Sequence, residues 1–483
     1  MRCSIYIREV LGLLRLQERI AMKPLPSLFV IAALTVGAYA QTNGEIPWNT
    51  ARTQAETAGF LKDLIRLDTR NPPGNESRVA HYLADIFARE GIPYEFLEIE
   101  PGRASIVARL KGDGSKRPLL IMGHEDVVPV EQAWWTVDPF AGLERDGTIY
   151  GRGAFDDKAM VAANLEVLLE LKRRALPLTR DVIFLAEAGE ETGGSGMAQL
   201  IERYWSKIDC EFALNEGEGA GLDNGKVVYM TVATGEKIAR RARLIARGTS
   251  GHGSVPRLDN PVVHLATAVA TVGTWETPAR LNDTTREYFH RLAPIVPPKE
   301  RGWYSDPLAP TSQAAFRIHH PDVYSMLRTS VVPTMLAAGV KINVVPSTAD
   351  AALDIRALPD EDPAKFFASL AHVINDPKVE VVPEDAKPRP SPPTSSLSTE
   401  MFSALEYSQR VVAPSAVTLP LMTNGGTDSA FLRAKGVQAY GISVPKTEAE
   451  MATHHGNDER IEVEQLGLFT RYLWTAVTRT VLR

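Results

Sequence analysis

Short apolar runs and helical periods alternate along the chain from about residue 50, and this alternation does most to limit the fold. "TAGFLKDLIRL" spaces Phe60, Leu61, Leu64 and Ile65 as one face of a helix. After the loop "NPPGNE", "SRVAHYLADIFAREG" reads as a helix ending at Gly91. "ASIVARL", "PLLIMG", "DVIFLAEA" and "CEFALNE" read as strands, and "DKAMVAANLEVLLELKRRA" and "GMAQLIERYW" as helices set among them. That order belongs to an α/β sheet with helices packed on its faces.

The character changes near residue 238. "KIARRARLIARG" alternates like an exposed strand, "PVVHLATAVATVGTW" and "FFASLAHVIND" are helical, and "VEVVPE" is a strand. "DAKPRPSPPTSSLST", residues 385 to 399, is rich in Pro and Ser and reads as a return linker. Beyond it, "MFSALEYSQRVV", "AYGISV" and "EQLGLFTRYLWTAVTRTVL" resume the first style. At 483 residues the chain is too long for one ordinary core. The expected fold is therefore α/β: a discontinuous catalytic domain with a helix-flanked mixed sheet, residues 41–237 and 391–483, interrupted by an α+β lid and dimerisation domain, residues 238–390.

The net charge of −6 carries no basic excess and argues against nucleic acid as a partner. Two cysteines, Cys3 and Cys210, exclude a disulfide framework and a cysteine-based zinc site. Residues 1–40 read as a targeting segment. "MKPLPSLFVIAALTVGAYAQ" starts at Met22, runs through an apolar stretch and ends in "AYA", a small-x-small cleavage pattern near Ala40. Met22 is then the expected true start, with export to the periplasm or the medium. The apolar run is too short to span a bilayer, so no stable membrane insertion follows. A long amphipathic presequence carrying Arg8, Arg15 and Arg19 is the alternative.

Acidic residues and histidines gather where the strands end. "HEDVVPV", residues 124 to 130, follows "PLLIMG". Residues two apart in a strand face the same side, so His124 and Asp126 look into one space. Asp156 and Asp157 directly precede a helix; one serves as an N-cap and the other is spare. Glu190 and Glu191 sit in a turn closed by Gly193 and Gly194, a costly pairing in a cleft and a cheap one in solvent. Glu216 follows another strand, and "THHGNDER" supplies His454 and His455.

Together His124, Asp156, Glu191, Glu216 and His455 offer nitrogen and oxygen ligands without a thiolate. That set suits zinc and, less strictly, cobalt or manganese. Two divalent ions side by side need a shared ligand, and Asp156 can bridge with its two oxygens. Asp126 would then orient the His124 ring by accepting its other N–H.

"GHEDVVP", "GRGAFDDKA", "EAGEETGG", "NEG" and "HHGNDERI" follow the order of one family. The chain resembles the co-catalytic zinc metallopeptidases that include glutamate carboxypeptidase, aminoacylase, succinyl-diaminopimelate desuccinylase and carnosinase. The resemblance implies His124, Asp156 and Glu216 on one ion and Asp156, Glu191 and His455 on the other. It also implies that Glu190 is the general base that deprotonates the water between them. Gly189, Ala159 and Asn215 depart from frequent family residues without removing a ligand. His455 is preferred over His454 because it directly precedes "GNDER".

The inserted segment adds residues by the same resemblance. "RGTSGHGSVP" resembles the lid-histidine motif, which makes His252 the group that polarises the scissile carbonyl; otherwise it is a turn histidine bonded to its own loop. Asn343 in "KINVVPS" and Arg356 in "ALDIRALP" match positions that bind the terminal carboxylate of the substrate. An ordinary surface salt bridge is the alternative for Arg356. "NGGTDSAF" offers backbone N–H groups from Gly426 and Thr427 to Ser429 at a helix start, a carboxylate cradle. Trp134 and Trp135 either line the cleft or pack in the core.

The expected activity is hydrolysis of an amide next to a free carboxylate, as a carboxypeptidase or dipeptidase, on a small peptide. An N-acyl-amino-acid amidohydrolase uses the same machinery. A metal-free binding protein on this fold is a third reading, opposed by the five ligands and Glu190. The broad apolar face of "PVVHLATAVATV" suggests a two-fold homodimer, and the resemblance implies that His252 reaches the partner chain's site.

Overall fold

A computed structural model describes residues 46–223, 225–384 and 389–483. The expected export segment, residues 1–40, lies outside them. Among the described residues no helix is long and apolar enough to cross a membrane.

Among the described residues, the alternating first segment and the C-terminal segment together form a ten-stranded mixed sheet. At its centre Leu119–His124 runs parallel to Val182–Glu187 on one side and to Phe212–Glu216 on the other. Gln438–Ile442, from the far end of the chain, continues the parallel block beside Phe212–Glu216. The central strands are continuous apolar runs because helices cover them on both faces. Helix Lys158–Arg173 is buried along nearly its whole length, and helix Val463–Val481 packs beside it. Helix Ser77–Glu90 ends at Gly91, as its sequence predicts, with φ 62° at the cap.

The second segment forms a separate four-stranded antiparallel sheet, ordered Ser330–Ala338, Thr348–Ala357, Ile238–Arg247 and Val379–Pro383. Ile238–Arg247 alternates buried and less buried residues. Helices Pro261–Thr274 and Pro363–Ile374 cover the buried face through Leu265, Ala268, Val272, Phe366 and Leu370. Between the two segments of this sheet, four short helices from Asp283 to Met326 gather around Phe289, Tyr304 and Phe316. They pack on Leu419, Leu421 and Met422 of the strand Val417–Thr423, which belongs to the large sheet.

The described part of the return linker, residues 389–399, is tied down. The Ser395 N–H donates to Thr234 O at 2.7 Å and its hydroxyl to Ala439 O at 2.7 Å, so this stretch is laced to the large sheet.

Candidate metal centre

Three parallel strands end side by side with His124, Glu187 and Glu216 as their last residues. The carboxyl edge of such a sheet is where side chains from separate strands converge. His124 is 2% exposed. Its Nδ1 lies 2.9 Å from the main-chain oxygen of Asp126, and its Nε2 lies 2.9 Å from Asp156 Oδ1 and 4.0 Å from Glu216 Oε2.

Asp156 is the hub. Its Oδ2 lies 2.8 Å from His454 Nε2 and 2.9 Å from His455 Nε2. His455 Nε2 is also 3.2 Å from Glu191 Oε1, a contact that distinguishes it from His454. Among the described residues, donor atoms within 4.8 Å of one another form three groups: Asp156 with His454 and His455, His124 with Glu190 and Glu216, and His124 with Asp156 and Glu191.

The electrostatics ask for positive charge. Burial acts to raise the Asp156 pKa, yet the imidazoles of His124, His454 and His455 hold it well below the usual carboxylate range. Hydrogen bonding to Asp156 and Glu191 pushes His455 up to about 10. Imidazoles drawn into their charged form here do what a divalent cation does better: they offset closely set carboxylates. The nitrogen and oxygen donors therefore fit a pair of such ions.

Asp126 organises the glutamate turn. Glu190–Thr192 is a single 3₁₀ turn entered through Gly189 at φ 101°, a conformation that glycine adopts without strain. Asp126 Oδ1 accepts the N–H groups of Gly189 and Glu190, each at 3.1 Å, and Oδ2 accepts those of Glu191 at 3.2 Å and Asn71 Nδ2 at 3.0 Å. The expectation that this carboxylate receives the His124 ring N–H is corrected: Asp126 Oδ1 is 3.6 Å from Nδ1, and the main-chain oxygen takes that place. Asp157 stands at the N-cap of helix Lys158–Arg173 without capping it; its Oδ2 accepts the His124 N–H at 3.3 Å. Glu190 is buried, and burial, with Asp428 nearby, pushes its carboxyl up to about 8.

The family model for peptidase family M20/M25/M40 matches residues 120–479, a span that holds His124, Asp156, Glu190, Glu191, Glu216, His454 and His455. The chain belongs to this family. A similar curated protein, N-fatty-acyl-amino acid synthase/hydrolase PM20D1 of Homo sapiens, is 30% identical over 383 residues, 76% of this chain and 74% of that protein. Among solved structures, the M20 family metallo-carboxypeptidase Sso-CP2 from Sulfolobus solfataricus has a TM-score of 0.65 at 19% identity, covering 88% of this chain and 99% of its own. The Bacillus subtilis YXEP protein, a dinuclear metal-binding peptidase from the M20 family, has a TM-score of 0.57 at 13% identity, with coverage of 88% and 98%. Both structures share the fold.

In this M20 chain the centre is built from more residues than local patterns reveal. Glu459 is fully buried. Its carboxylate accepts the N–H groups of Gly153 at 3.1 Å, Phe155 at 2.8 Å and Asp156 at 3.1 Å, and pairs with Arg152 at 2.6 Å. Arg389, in the linker, reaches Glu190 Oε1 with Nη2 at 3.3 Å and donates to the main-chain oxygens of Gly193 and Thr427. Glu187 and Asp428 are buried carboxyls behind Glu190, both pushed up chiefly by burial. "AEAGEET" and "GGTDS" display these acids, but nothing in either stretch signals that they meet.

The residues expected to hold substrate fare differently. His252 pairs in register with Val344 in a two-residue strand, and its Nδ1 bonds Ser254 N at 3.1 Å and Ser254 Oγ at 2.7 Å. Asn343 lies beside it, its main-chain oxygen accepting the Gly253 N–H at 2.8 Å. Arg356 grips Asp354 through Nε at 2.8 Å and Nη2 at 3.1 Å, the salt bridge named above as its alternative. The cradle at Gly426 and Thr427 already holds an internal carboxylate: Glu236 accepts the Thr427 N–H at 2.8 Å and its hydroxyl at 2.9 Å. Trp134 is 70% exposed, whereas Trp135 is buried under the Arg152 guanidinium.

Proposed function

We propose that the chain is a dinuclear-metal hydrolase that cleaves an amide next to a free carboxylate, as a carboxypeptidase or dipeptidase does. The observation that carries this reading is the Asp156 carboxylate, with His124 on one oxygen and His454 and His455 on the other. His124, Asp156 and Glu216 would hold one ion, and Asp156, Glu191 and His455 the other; zinc, cobalt and manganese all suit these donors. When bound, the two ions supply Lewis acidity to a carbonyl group and to water.

Glu190 takes the proton of the attacking water and delivers it to the leaving nitrogen as the C–N bond breaks. Asp126 holds the main chain of the turn carrying Glu190, and Arg389 contacts the Glu190 carboxylate itself, so the base is aimed from two sides. An N-acyl-amino-acid amidohydrolase uses the same groups, and the name of the human relative supports that substrate class.

Export is inferred from residues 22–40 of the sequence alone. A homodimer formed through the smaller sheet is supported by its edge strand Ser330–Ala338, which presents Met335 at 71% and Leu336 at 62% exposure. In that assembly His252 would serve the partner's site.

The test is a panel of free dipeptides, N-blocked dipeptides and N-acyl amino acids, assayed after loading with zinc, cobalt or manganese. Hydrolysis of free-acid substrates, abolished by a chelator, is expected. A protein carrying two ions that cleaves none of the panel would overturn the reading and favour a binding protein.

A further inference from the structure

A pocket of about 260 Å³ opens beside Asp156; the carboxylates of Asp157, Glu216 and Glu218 line it, Phe155, Met451 and His454 flank it, and Lys446 brings its one ammonium. Lys446 closes a two-residue strand, Pro445–Lys446, paired in parallel with Ala220 and Gly221 at the edge of the large sheet. The residue is 5% exposed. Nζ sits over the Phe155 ring, 3.0 Å from the centroid. Among the described residues no hydrogen bond or ion pair reaches Nζ.

That is unusual for a buried ammonium, which brings three N–H donors. An aromatic face attracts a cation but offers no lone pair. The other buried lysines are satisfied. Lys158 donates to Leu64 O at 2.9 Å and Leu67 O at 2.7 Å. Lys237 donates to Ser325 O at 2.8 Å and to the hydroxyls of Ser325 and Ser330 at 2.9 Å. Burial pushes Lys446 down to about 7 against the pull of Asp156 and Glu218. Meanwhile Arg356 is engaged by Asp354, and the Thr427 N–H by Glu236.

We propose that Lys446 is the carboxylate-recognition residue of this pocket: its spare donors receive the free carboxylate of an amino-acid-sized group seated between Phe155, Met451 and the metal-site residues. The scissile bond of that substrate rests on the hydrolase reading above; the anion site does not. The pocket would take the amino-acid half of an N-acyl amino acid or the terminal residue of a peptide, since its volume admits one residue and not a long chain.

The experiment is isothermal titration of the metal-loaded full chain with L-methionine and with L-methioninol, which lacks the carboxylate and cannot be hydrolysed. The parent is expected to bind methionine about tenfold or more tightly over methioninol, as for one charge-assisted contact. Lys446→Met should abolish that preference with two ions still bound, and Lys446→Arg should keep most of it. Lys446→Gln replaces the Met variant if that protein does not fold. A preference that survives in Lys446→Met, is absent from the parent, or disappears instead in Arg356→Ala would overturn the assignment. A loaded protein that keeps the Lys446-dependent preference but cleaves no acyl-methionine or peptide ending in methionine would reject the hydrolase reading and leave the anion site standing.

Discussion

Arg152 and Glu459, 307 positions apart in the chain, meet as a buried ion pair with Nη1 2.6 Å from Oε2. The pair joins two loops. Glu459 accepts the N–H groups of Gly153, Phe155 and Asp156, while Arg152 Nη2 donates to Gly456 O at 2.8 Å and His455 O at 3.3 Å. Asp156 and His455, which stand at 2.9 Å from each other, are thus held from behind by one clasp.

Glu459→Gln is expected to damage both stability and the metal site. It leaves the Arg152 charge buried without its counter-charge, a loss of about 3–5 kcal/mol. Groups that orient metal ligands typically carry about 10–100-fold in metal affinity. Thermal melting and metal analysis after dialysis check the two effects separately. Unchanged melting and full retention of metal would show that the clasp does not support the centre.

Metal stoichiometry tests the centre itself. About two divalent ions per chain are expected, because Asp156 presents two oxygens to separate donor sets. Chelation should abolish hydrolysis and lower the melting temperature, since bound ions stabilise only the folded chain. Added zinc or cobalt should restore both. Full activity in a verified metal-free sample would sink the mechanism.

Neighbouring glutamates should separate ligation from base catalysis. Glu190→Gln is expected to keep both ions and lose on the order of 10²-fold or more in rate. Glu191→Gln should lose metal as well, because Glu191 Oε1 faces His455. The opposite pattern in metal analysis would mean that the two roles are exchanged.

What was legible follows from the range of each interaction. His124, Asp156, Glu191, Glu216 and His455 stand at strand ends or in tight turns, where local period sets side-chain direction. The Asp126 side chain could be assigned to the same space as His124, but not the choice between its carboxylate and its main-chain oxygen, which depends on three N–H groups converging from residues 189–191. Glu459, Arg389 and Glu236 were illegible because their partners lie 307, 199 and 191 positions away. The same distance explains why the cradle at Thr427 looked free. A short-range motif advertises donors, not the internal acceptor that has already claimed them.

Glu166 should make stability depend on pH. It is fully buried in helix Lys158–Arg173, and among the described residues neither oxygen has a hydrogen-bond partner. Burial, with Glu56 and Glu170 adding repulsion, pushes its carboxyl from 4.5 up to about 8. Between these values the folded chain holds a proton that the unfolded chain has released, so this contribution is complete below the lower value and declines as pH rises towards the upper one. Glu166→Gln removes the titration. The melting temperature of the variant minus that of the parent should be smallest near pH 4.5, increase to pH 8 and then level off. A constant difference across the range would show that Glu166 does not titrate in this window.

Subunit complementation tests whether His252 acts on the partner's site. Within its own chain the ring bonds Ser254 and belongs to none of the metal-donor groups. His252→Ala and Glu190→Gln should each be inactive alone. Mixed under conditions that exchange subunits, half of a random dimer population is heterodimeric. Each heterodimer then holds one doubly defective site and one site with Glu190 from one chain and His252 from the other. About a quarter of all sites should therefore recover. If His252 served its own chain, every site would keep a defect and no activity would return. Proven exchange without recovery, read by assay and by native mass measurement of the heterodimer, would rule out action across the interface and leave the metal centre untouched.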